Sequence, residues 1–252
     1  MHKLLFICLA MVLILAGPPT QAQTDDPTFA ADYQTADKFQ QALKANDRES
    51  VANLITYPLN REAPLPPIAN AREFLAHWDE YFDDASIRAL LDSKAEQYGW
   101  RGIALANGTV WFAKGHVASI FTKTAASEKT FKSAKQNEGA KLYPTVRAYD
   151  KIAFQCSTKT QSIRTQYQGK DLRYFAWKSG ASLASKPDLE LKGGVYDPQG
   201  TGGNYNLIFK NKGYTYQLEV GHYLCGEDCN DYLTVMEGDK TILHEICTSP
   251  DN

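Results

Sequence analysis

The chain has 252 residues, 27 of them Lys or Arg and 29 Asp or Glu, and its formal net charge at pH 7 is −2. Because charges of both signs are interspersed, the composition gives no reason to expect a nucleic acid or an anionic membrane as partner. The length is sufficient for two modest domains or one large one.

The first 22 residues have the pattern of a secretory signal peptide. A basic Lys3 precedes an unbroken apolar run from Leu4 to Ala16, and small residues follow up to Ala22. The apolar run is shorter than the roughly 20 residues needed to span a bilayer. We therefore expect residues 1–22 to be cleaved on export, and no later segment is apolar enough to be an integral membrane span.

Four helical segments are predicted in the first half of the chain: residues 33–46, 50–55, 69–82 and 86–98. The third begins with Asn70, and Glu73 follows three residues later, which is the spacing of a capping box. Residues 99–113 then read as two strands joined at Asn107-Gly108, a dipeptide typical of hairpin turns.

The order of these elements resembles the nuclear transport factor 2-like (SnoaL-like) α+β family. The resemblance rests on the stretches FQQALKANDRESVANLITYPL, ANAREFLAHWDEYF and RGIALANGTVWF. It implies a domain over residues 30–122 with a cone-shaped fold, in which helices pack on a curved antiparallel sheet and leave a pocket at the open end. Some members of the family are isomerases, dehydratases or cyclases with an Asp/His pair or a Tyr/Asp set, and many are non-catalytic.

Few polar groups are available for acid–base chemistry in such a pocket: His77, Asp79, Tyr81 and His116. His77 and Tyr81 are four residues apart and would share a helical face, but Trp78 and Phe82 define the buried stripe beside them. This pattern favours a partly exposed polar edge over a catalytic set. No motif of the family assigns a role to any of these residues.

Residues 123–147 are predicted to form a linker or a long loop. The segment is rich in Lys, Ala and Ser, lacks hydrophobic periodicity over most of its length and reaches Tyr143-Pro144 near its end. Glutamates separate its lysines, which favours a solvated surface over a site for an anionic partner.

From residue 148 to residue 250 the chain reads as an all-β domain. Seven short runs have the partial alternation of strands: residues 151–156, 161–167, 171–178, 204–210, 214–220, 231–237 and 240–247. The two central runs, NYNLIFK and YTYQLEV, are predicted to form a hairpin with a three-residue loop in which Gly213 is left-handed. Seven such strands favour a β-sandwich or a small barrel, so the whole chain belongs to the α+β class.

Residues 185–205 form the longest irregular stretch of the predicted β domain. Loops of this length are often binding sites, and its candidate ligand-binding residues are Lys186, Asp188, Gly193, Tyr196, Gly202 and Tyr205. The stretch has neither a phosphate-loop motif nor a calcium-binding spacing, so an ordinary surface loop is the simpler interpretation.

Loss of the leader removes Cys8 and leaves four cysteines: Cys156, Cys225, Cys229 and Cys247. An even number in an exported chain points to disulfides, for which three pairings are possible. We favour Cys225–Cys229 across a hairpin tip and Cys156–Cys247 between the two ends of the β region. A zinc site that also uses His222 and His244 is the competing interpretation, and a thioredoxin-like site is disfavoured because the spacing is C-x3-C.

The C-terminal region resembles a small disulfide-bonded β domain of uncharacterised exported bacterial proteins. The resemblance covers about 100 residues and rests on CSTK, YFAWKSGASLASKPDLEL, a glycine-rich loop, an aromatic hairpin and a final cysteine. It implies a bacterial periplasm rather than the extracellular medium, and no firm activity. Size, location and disulfide are also similar to those of periplasmic lysozyme inhibitors, but SGAS at residues 179–182 lacks the tyrosine of their Ser-Gly-x-x-Tyr loop.

The sequence has no G-x-S-x-G nucleophile elbow and no motif for a metal or a cofactor. We therefore expect neither a bound metal nor a cofactor. The favoured function is a non-catalytic binding protein of the bacterial envelope, with a protein, a glycan or a small apolar ligand as partner. Abundant Tyr and Trp side chains, which are common in recognition surfaces, support this hypothesis. The alternatives are an inhibitor or immunity protein for a cell-wall hydrolase, and an isomerase- or dehydratase-like enzyme that uses the N-terminal pocket.

Overall fold

The structure is a computed structural model that describes residues 27–200, 203–221 and 230–249. The predicted signal peptide, His222, the proposed Cys225–Cys229 pair and Gly202 lie outside the described residues. The described part contains helices and three antiparallel sheets, which confirms the α+β class. Within it, no helix combines the length and the apolar character needed to cross a membrane.

Helices come first in the chain. After a 3-10 turn at Pro27–Phe29, they are α1 (Ala30–Lys44), α2 (Arg48–Asn53), α3 (Ala71–Ala76), α4 (Trp78–Tyr81) and α5 (Asp84–Asp92). Short polar side chains determine where three of them begin: Asp47, Asn70 and Asp83 each accept a hydrogen bond from the backbone N–H three residues later. Such caps satisfy backbone donors that have no partner inside the helix.

The helix predicted over residues 69–82 is interrupted at His77, so α3 and α4 are separate elements. The expected capping box forms only in part, because the Glu73 carboxylate accepts from the N–H of Ala69 instead of that of Asn70. The interruption also means that the expected shared face of His77 and Tyr81 does not exist. His77 lies half-buried at the surface, whereas Tyr81 is 6% exposed and packs in the core.

A four-stranded antiparallel sheet follows, in the order β1 (Glu96–Gln97), β2 (Ile103–Leu105), β3 (Val110–Ala113) and β4 (His116–Ile120). The hairpin predicted at Asn107-Gly108 is confirmed, and it joins β2 to β3. Buried side chains from the helices and from one face of this sheet form a single core, in which the Phe39 ring lies 5.7 Å from that of Phe112 and 6.1 Å from that of Phe82.

Residues 123–147, predicted to form a linker or a long loop, are largely helical. The segment contains a 16-residue helix, α6 (Ala125–Ala140), and a short helix, α7 (Pro144–Arg147). A reciprocal capping box starts α6: Thr124 Oγ1 accepts from the Ser127 N–H, and Ser127 Oγ accepts from the Thr124 N–H. Only Gly139 of α6 is buried. The helix therefore lacks the apolar stripe by which sequence periodicity reveals helices, and polar contacts near its two ends fix its position.

The second sheet has four antiparallel strands: β5 (Lys151–Ser157), β6 (Gln161–Gln168), β7 (Asp171–Lys178) and β8 (Leu189–Leu191). One of its faces is covered by α7 and its flanking residues, through a small core of Leu142, Val146, Tyr149, Ile152, Phe175 and Trp177. The region from α6 onward is thus joined to the β-rich part of the chain by buried contacts.

A partly buried ion pair fixes the C-terminal end of α6 to this sheet. The guanidinium of Arg164, whose side chain is fully buried, donates to the two carboxylate oxygens of Glu138 at 2.7 and 3.1 Å and to Gln166 Oε1 at 2.6 Å. Its central carbon lies 4.6 Å from the ring centroid of Tyr149, whose hydroxyl donates to the same carboxylate. Burial and the bond to Glu138 raise the pKa of Tyr149, so this phenol keeps its proton.

The third sheet has five antiparallel strands in the spatial order β13-β12-β11-β10-β9. Their bounds are β9 (Val195–Gln199), β10 (Asn204–Asn211), β11 (Tyr214–Val220), β12 (Asp231–Glu237) and β13 (Lys240–Cys247). All seven predicted strands are therefore present. The expectation of irregular structure across residues 185–205 is wrong in part, because β8 and β9 lie there. Both strands are short, and Pro198 and the neighbouring glycines interrupt the residue alternation that predicts a strand.

The loop of the predicted β10–β11 hairpin has two residues instead of three. Asn211 pairs with Tyr214, and both Lys212 and Gly213 have positive φ, at 50° and 87°. Two consecutive residues in this conformation match the right-handed twist of the flanking strands. The left-handed conformation expected for Gly213 is confirmed.

Buried side chains from the second and third sheets form one core, which includes Phe154, Ile163, Tyr174, Leu207, Phe209, Leu218, Leu233 and Val235. The predicted disulfide Cys156–Cys247 is confirmed and lies in this core, with Cα atoms 5.4 Å apart. Just beyond it, Ser157 and Thr248 exchange backbone hydrogen bonds at 2.8 and 2.9 Å. The two sheets are therefore linked at the edge where β5 meets β13.

Candidate functional site

Two adjoining grooves lie between α4–α5 and the first half of α6. The main groove has a volume of about 620 Å³ and is lined by residues of α2, α4, α5 and α6 and of the turns before them. The side groove, of about 390 Å³, is lined by His77, Glu80, Lys129, Thr130 and Ser133 among others. Asp79 and Ala126 line both grooves.

The floor of the main groove is aromatic. Trp78 and Phe82 line it, both are almost fully buried, and their ring centroids are 4.6 Å apart. The opposite wall is the start of α6, which is fixed directly to α4 because Thr124 Oγ1 donates to the backbone carbonyl of Asp79 at 2.8 Å. The Thr124 side chain thus caps α6 and also links α6 to α4 across the groove.

The rim of the main groove carries charges of both signs: Arg48, Arg88, Asp79, Asp83 and Asp84. The Arg48 guanidinium lies over the Trp78 ring, 5.0 Å from its centroid. Hydrogen bonds from the backbone N–H and then from the hydroxyl of Ser86 lower the pKa of the Asp83 carboxyl, so this capping group is ionised. The groove therefore combines an apolar floor with a charged rim.

Glu80 is the centre of a polar network beside the side groove. Its Oε1 lies 2.8 Å from His77 Nδ1 and accepts from Thr130 Oγ1 at 3.1 Å, and its Oε2 is paired with Arg61. Because a carboxylate oxygen can only accept a hydrogen bond, His77 Nδ1 carries the proton in this contact. The second ring nitrogen, Nε2, takes no part in it. The arrangement orients the His77 imidazole at the edge of the groove.

The structure brings together two of the four residues considered for acid–base chemistry. His77 and Asp79 both line the side groove, but Tyr81 lies in the helical core with its ring 5.0 Å from that of Phe74. Within the described part of the chain, the buried Tyr81 hydroxyl has no hydrogen-bond partner. Burial raises its pKa to about 12. His116 is exposed on β4 and lines neither groove.

Sequence reasoning missed Glu80, Arg61, Thr130 and Arg48. Glu80 follows His77 by three residues, and this spacing was a usable signal because side chains three apart on a helix are neighbours. The other three come from different elements, so only the tertiary fold brings them to the grooves.

The described candidate residues of the 185–205 stretch do not converge on one site. Tyr196 and Tyr205 lie on adjacent strands with ring centroids 5.1 Å apart. Asp188 accepts from the Lys178 N–H, the Gly193 N–H donates to the side chain of Asp171, and Lys186 is exposed before β8. In the alternative zinc interpretation, Cys247 is already bonded to Cys156, and His244 stacks on Tyr232 with its Nδ1 3.0 Å from Thr234 Oγ1.

Replacing Tyr81 by phenylalanine should raise the free energy of unfolding by about 1 kcal/mol, because it removes a buried hydroxyl that has no hydrogen-bond partner among the described residues. The difference in the free energy of unfolding between Tyr81→Phe and the wild type should increase at alkaline pH. The folded-state pKa of about 12 lies above the ordinary value of 10, so the stability that depends on a protonated Tyr81 is complete below pH 10 and is lost as the pH rises toward 12. Urea unfolding of both proteins at pH 7 and near pH 11 measures both effects.

Tyr149→Phe is the matched control, since its hydroxyl donates to Glu138 and its loss should destabilise the protein at pH 7. A Tyr81→Phe variant that loses stability as Tyr149→Phe does would show that the Tyr81 hydroxyl has a partner after all.

Chemically, the main groove can hold an extended segment that has both apolar and charged groups, and the side groove presents an oriented imidazole beside hydroxyl and ammonium groups. The function has to be inferred from this geometry. Comparison with known proteins found no matching family, no matching curated protein and no matching solved structure.

Proposed function

We propose that this chain is an exported, non-catalytic binding protein of the bacterial envelope that holds a segment of a partner protein in its main groove. The observation that carries the proposal is the open groove of about 620 Å³ with an aromatic floor and a rim of both charges. Protein interfaces have this anatomy, an apolar centre surrounded by polar groups. A neutral glycan or a small apolar ligand would leave the arginine and aspartate side chains of the rim without complementary charges.

Export is supported by the Cys156–Cys247 disulfide together with the leader-like N-terminal sequence. Disulfides persist in oxidising compartments and are rare in reducing ones. The periplasm is the compartment in which such a protein would meet envelope partners.

We interpret the architecture as a cone-like helical region followed by a β-sandwich. The cone is supported by helices that cover one face of the first sheet, and the sandwich by the core that the second and third sheets share. In this arrangement the groove lies outside the cone, at the contact between the helical region and α6.

Photo-cross-linking in the exporting cell tests the proposal. Benzoylphenylalanine in place of Ala85, an exposed residue that lines the main groove, should give a cross-linked adduct with an envelope protein. The same substitution at Ala89, exposed one turn later on α5 and outside the groove lining, is the matched control and should give at least tenfold less adduct. Equal labelling at both positions, or none at Ala85, would refute a groove-bound partner.

A second candidate function is favoured by the His77–Glu80 contact. A histidine oriented by a carboxylate is the usual arrangement of a general base, so an acid–base enzyme would use His77, with Glu80 as its positioning residue and without Tyr81. Incubating envelope metabolites with the wild type and with His77→Gln, followed by mass spectrometry, separates the two functions. A product made only by the wild type supports the enzyme, and identical profiles eliminate it.

A further inference from the structure

The Arg48 guanidinium lies over the Trp78 ring on the floor of the main groove. A cationic side chain of a partner could take the same position. The two groups come from different helices, α2 and α4, and the guanidinium carbon is 5.0 Å from the ring centroid. Arg48 is exposed, and in the described part of the chain it makes no ion pair. The Trp78 ring is therefore the contact that holds this guanidinium in place, and a cation over an aromatic ring at an exposed site changes an equilibrium constant only about 2- to 5-fold. So weak a contact can be exchanged.

The charges around this position favour a cationic occupant. Three carboxylates, those of Asp79, Asp83 and Asp84, line the groove together with two guanidinium groups, those of Arg48 and Arg88. If Arg48 moves off the ring, the balance becomes three negative groups against one positive group. Asp79 and Asp84 are exposed, and among the described residues no hydrogen bond or ion pair engages their carboxylates.

We propose that the main groove binds a basic polypeptide segment, one of whose arginine or lysine side chains replaces Arg48 over Trp78. This inference rests on the proposed binding function and specifies the chemistry of the partner. The incoming cation gains the aromatic face and the nearby carboxylates, and the displaced Arg48 returns to solvent with its charge hydrated. Arg48 then acts as an internal competitor that lowers the affinity for the partner.

Fluorescence anisotropy of a labelled (Gly-Arg)4 peptide with the full mature chain at low ionic strength tests this. The wild type should bind it, and binding should weaken as salt is added. A (Gly-citrulline)4 peptide, which has nearly the same shape without the charge, should bind much more weakly. Arg48→Ala should tighten binding of (Gly-Arg)4 about 2- to 5-fold, because the competitor is gone. Asp84→Asn should weaken it by a similar factor.

Lys210→Ala is the matched control for charge, because it removes one positive charge from an exposed strand position outside the groove lining. It should leave the affinity unchanged. If Arg48→Ala tightens binding no more than Lys210→Ala does, or if it weakens binding, Arg48 is not a competitor and the inference is wrong. A groove that cross-links to a partner through position 85 but does not bind (Gly-Arg)4 would refute the basic segment and leave the binding function standing.

Discussion

Replacing Glu138 by alanine should lower the free energy of unfolding by about 3–5 kcal/mol. The substitution leaves the fully buried Arg164 guanidinium without its carboxylate, and a buried charge that loses its partner is strongly destabilising. It also removes the acceptor of the Tyr149 hydroxyl. Chemical denaturation followed by circular dichroism measures the change.

Gln136→Ala is the control on the same helix, since Gln136 is exposed, and it should change the stability by no more than about 0.5 kcal/mol. A second variant separates charge from packing: Arg164→Met combined with Glu138→Leu should recover much of the loss, because it removes both charges from the interior. A Glu138→Ala protein within about 1 kcal/mol of the wild type would mean that α6 is not anchored by this pair.

The second large effect concerns the Cys156–Cys247 disulfide, which joins residues 91 positions apart in sequence. Replacing both cysteines by alanine should lower the free energy of unfolding by about 4 kcal/mol, because the bridge no longer restricts the unfolded chain. The double variant is preferable to a reducing agent, which would also act on the predicted Cys225–Cys229 disulfide. Urea unfolding of the variant and the wild type, both purified under oxidising conditions, checks this prediction; a loss below about 1 kcal/mol would contradict it.

The strands of the second half were largely predictable because each leaves a local pattern. The predicted bounds of β7, β11, β12 and β13 match the structure. Each of these strands has at one end a turn with a glycine at positive φ, namely Gly180, Gly213 or Gly238. The missed strands, β8 and β9, have three and five residues. Runs so short carry too little alternation to be distinguished from a loop.

The helix α6 was missed for a different physical reason. Hydrophobic periodicity detects helices that bury an apolar stripe, whereas α6 is held by Thr124 at its start and by Glu138 near its end. Their partners, the Asp79 carbonyl and Arg164, lie 45 and 26 residues away in sequence. Contacts over such separations leave no periodic signal.

The candidate site was predictable only in so far as it depends on local sequence. His77 and Asp79 could be selected as polar groups near a buried stripe, and both line a groove. Tyr81 could not be excluded, because the interruption at His77 that places it in the core depends on tertiary packing. The grooves themselves exist because α6 lies against α4, so the interpretation of residues 123–147 as a linker or a long loop left the site unpredicted as well.

Hydrogen–deuterium exchange of residues 125–140 tests the central claim most directly, because that claim is that α6 is an anchored helix that forms one wall of the main groove. We expect the amides of this segment in the wild type to exchange far more slowly than in the unfolded chain, and the Glu138→Ala substitution to accelerate the exchange of its C-terminal half first. Exchange across residues 125–140 as fast as in the unfolded chain would contradict the account, since neither the groove nor the anchoring ion pair could then exist.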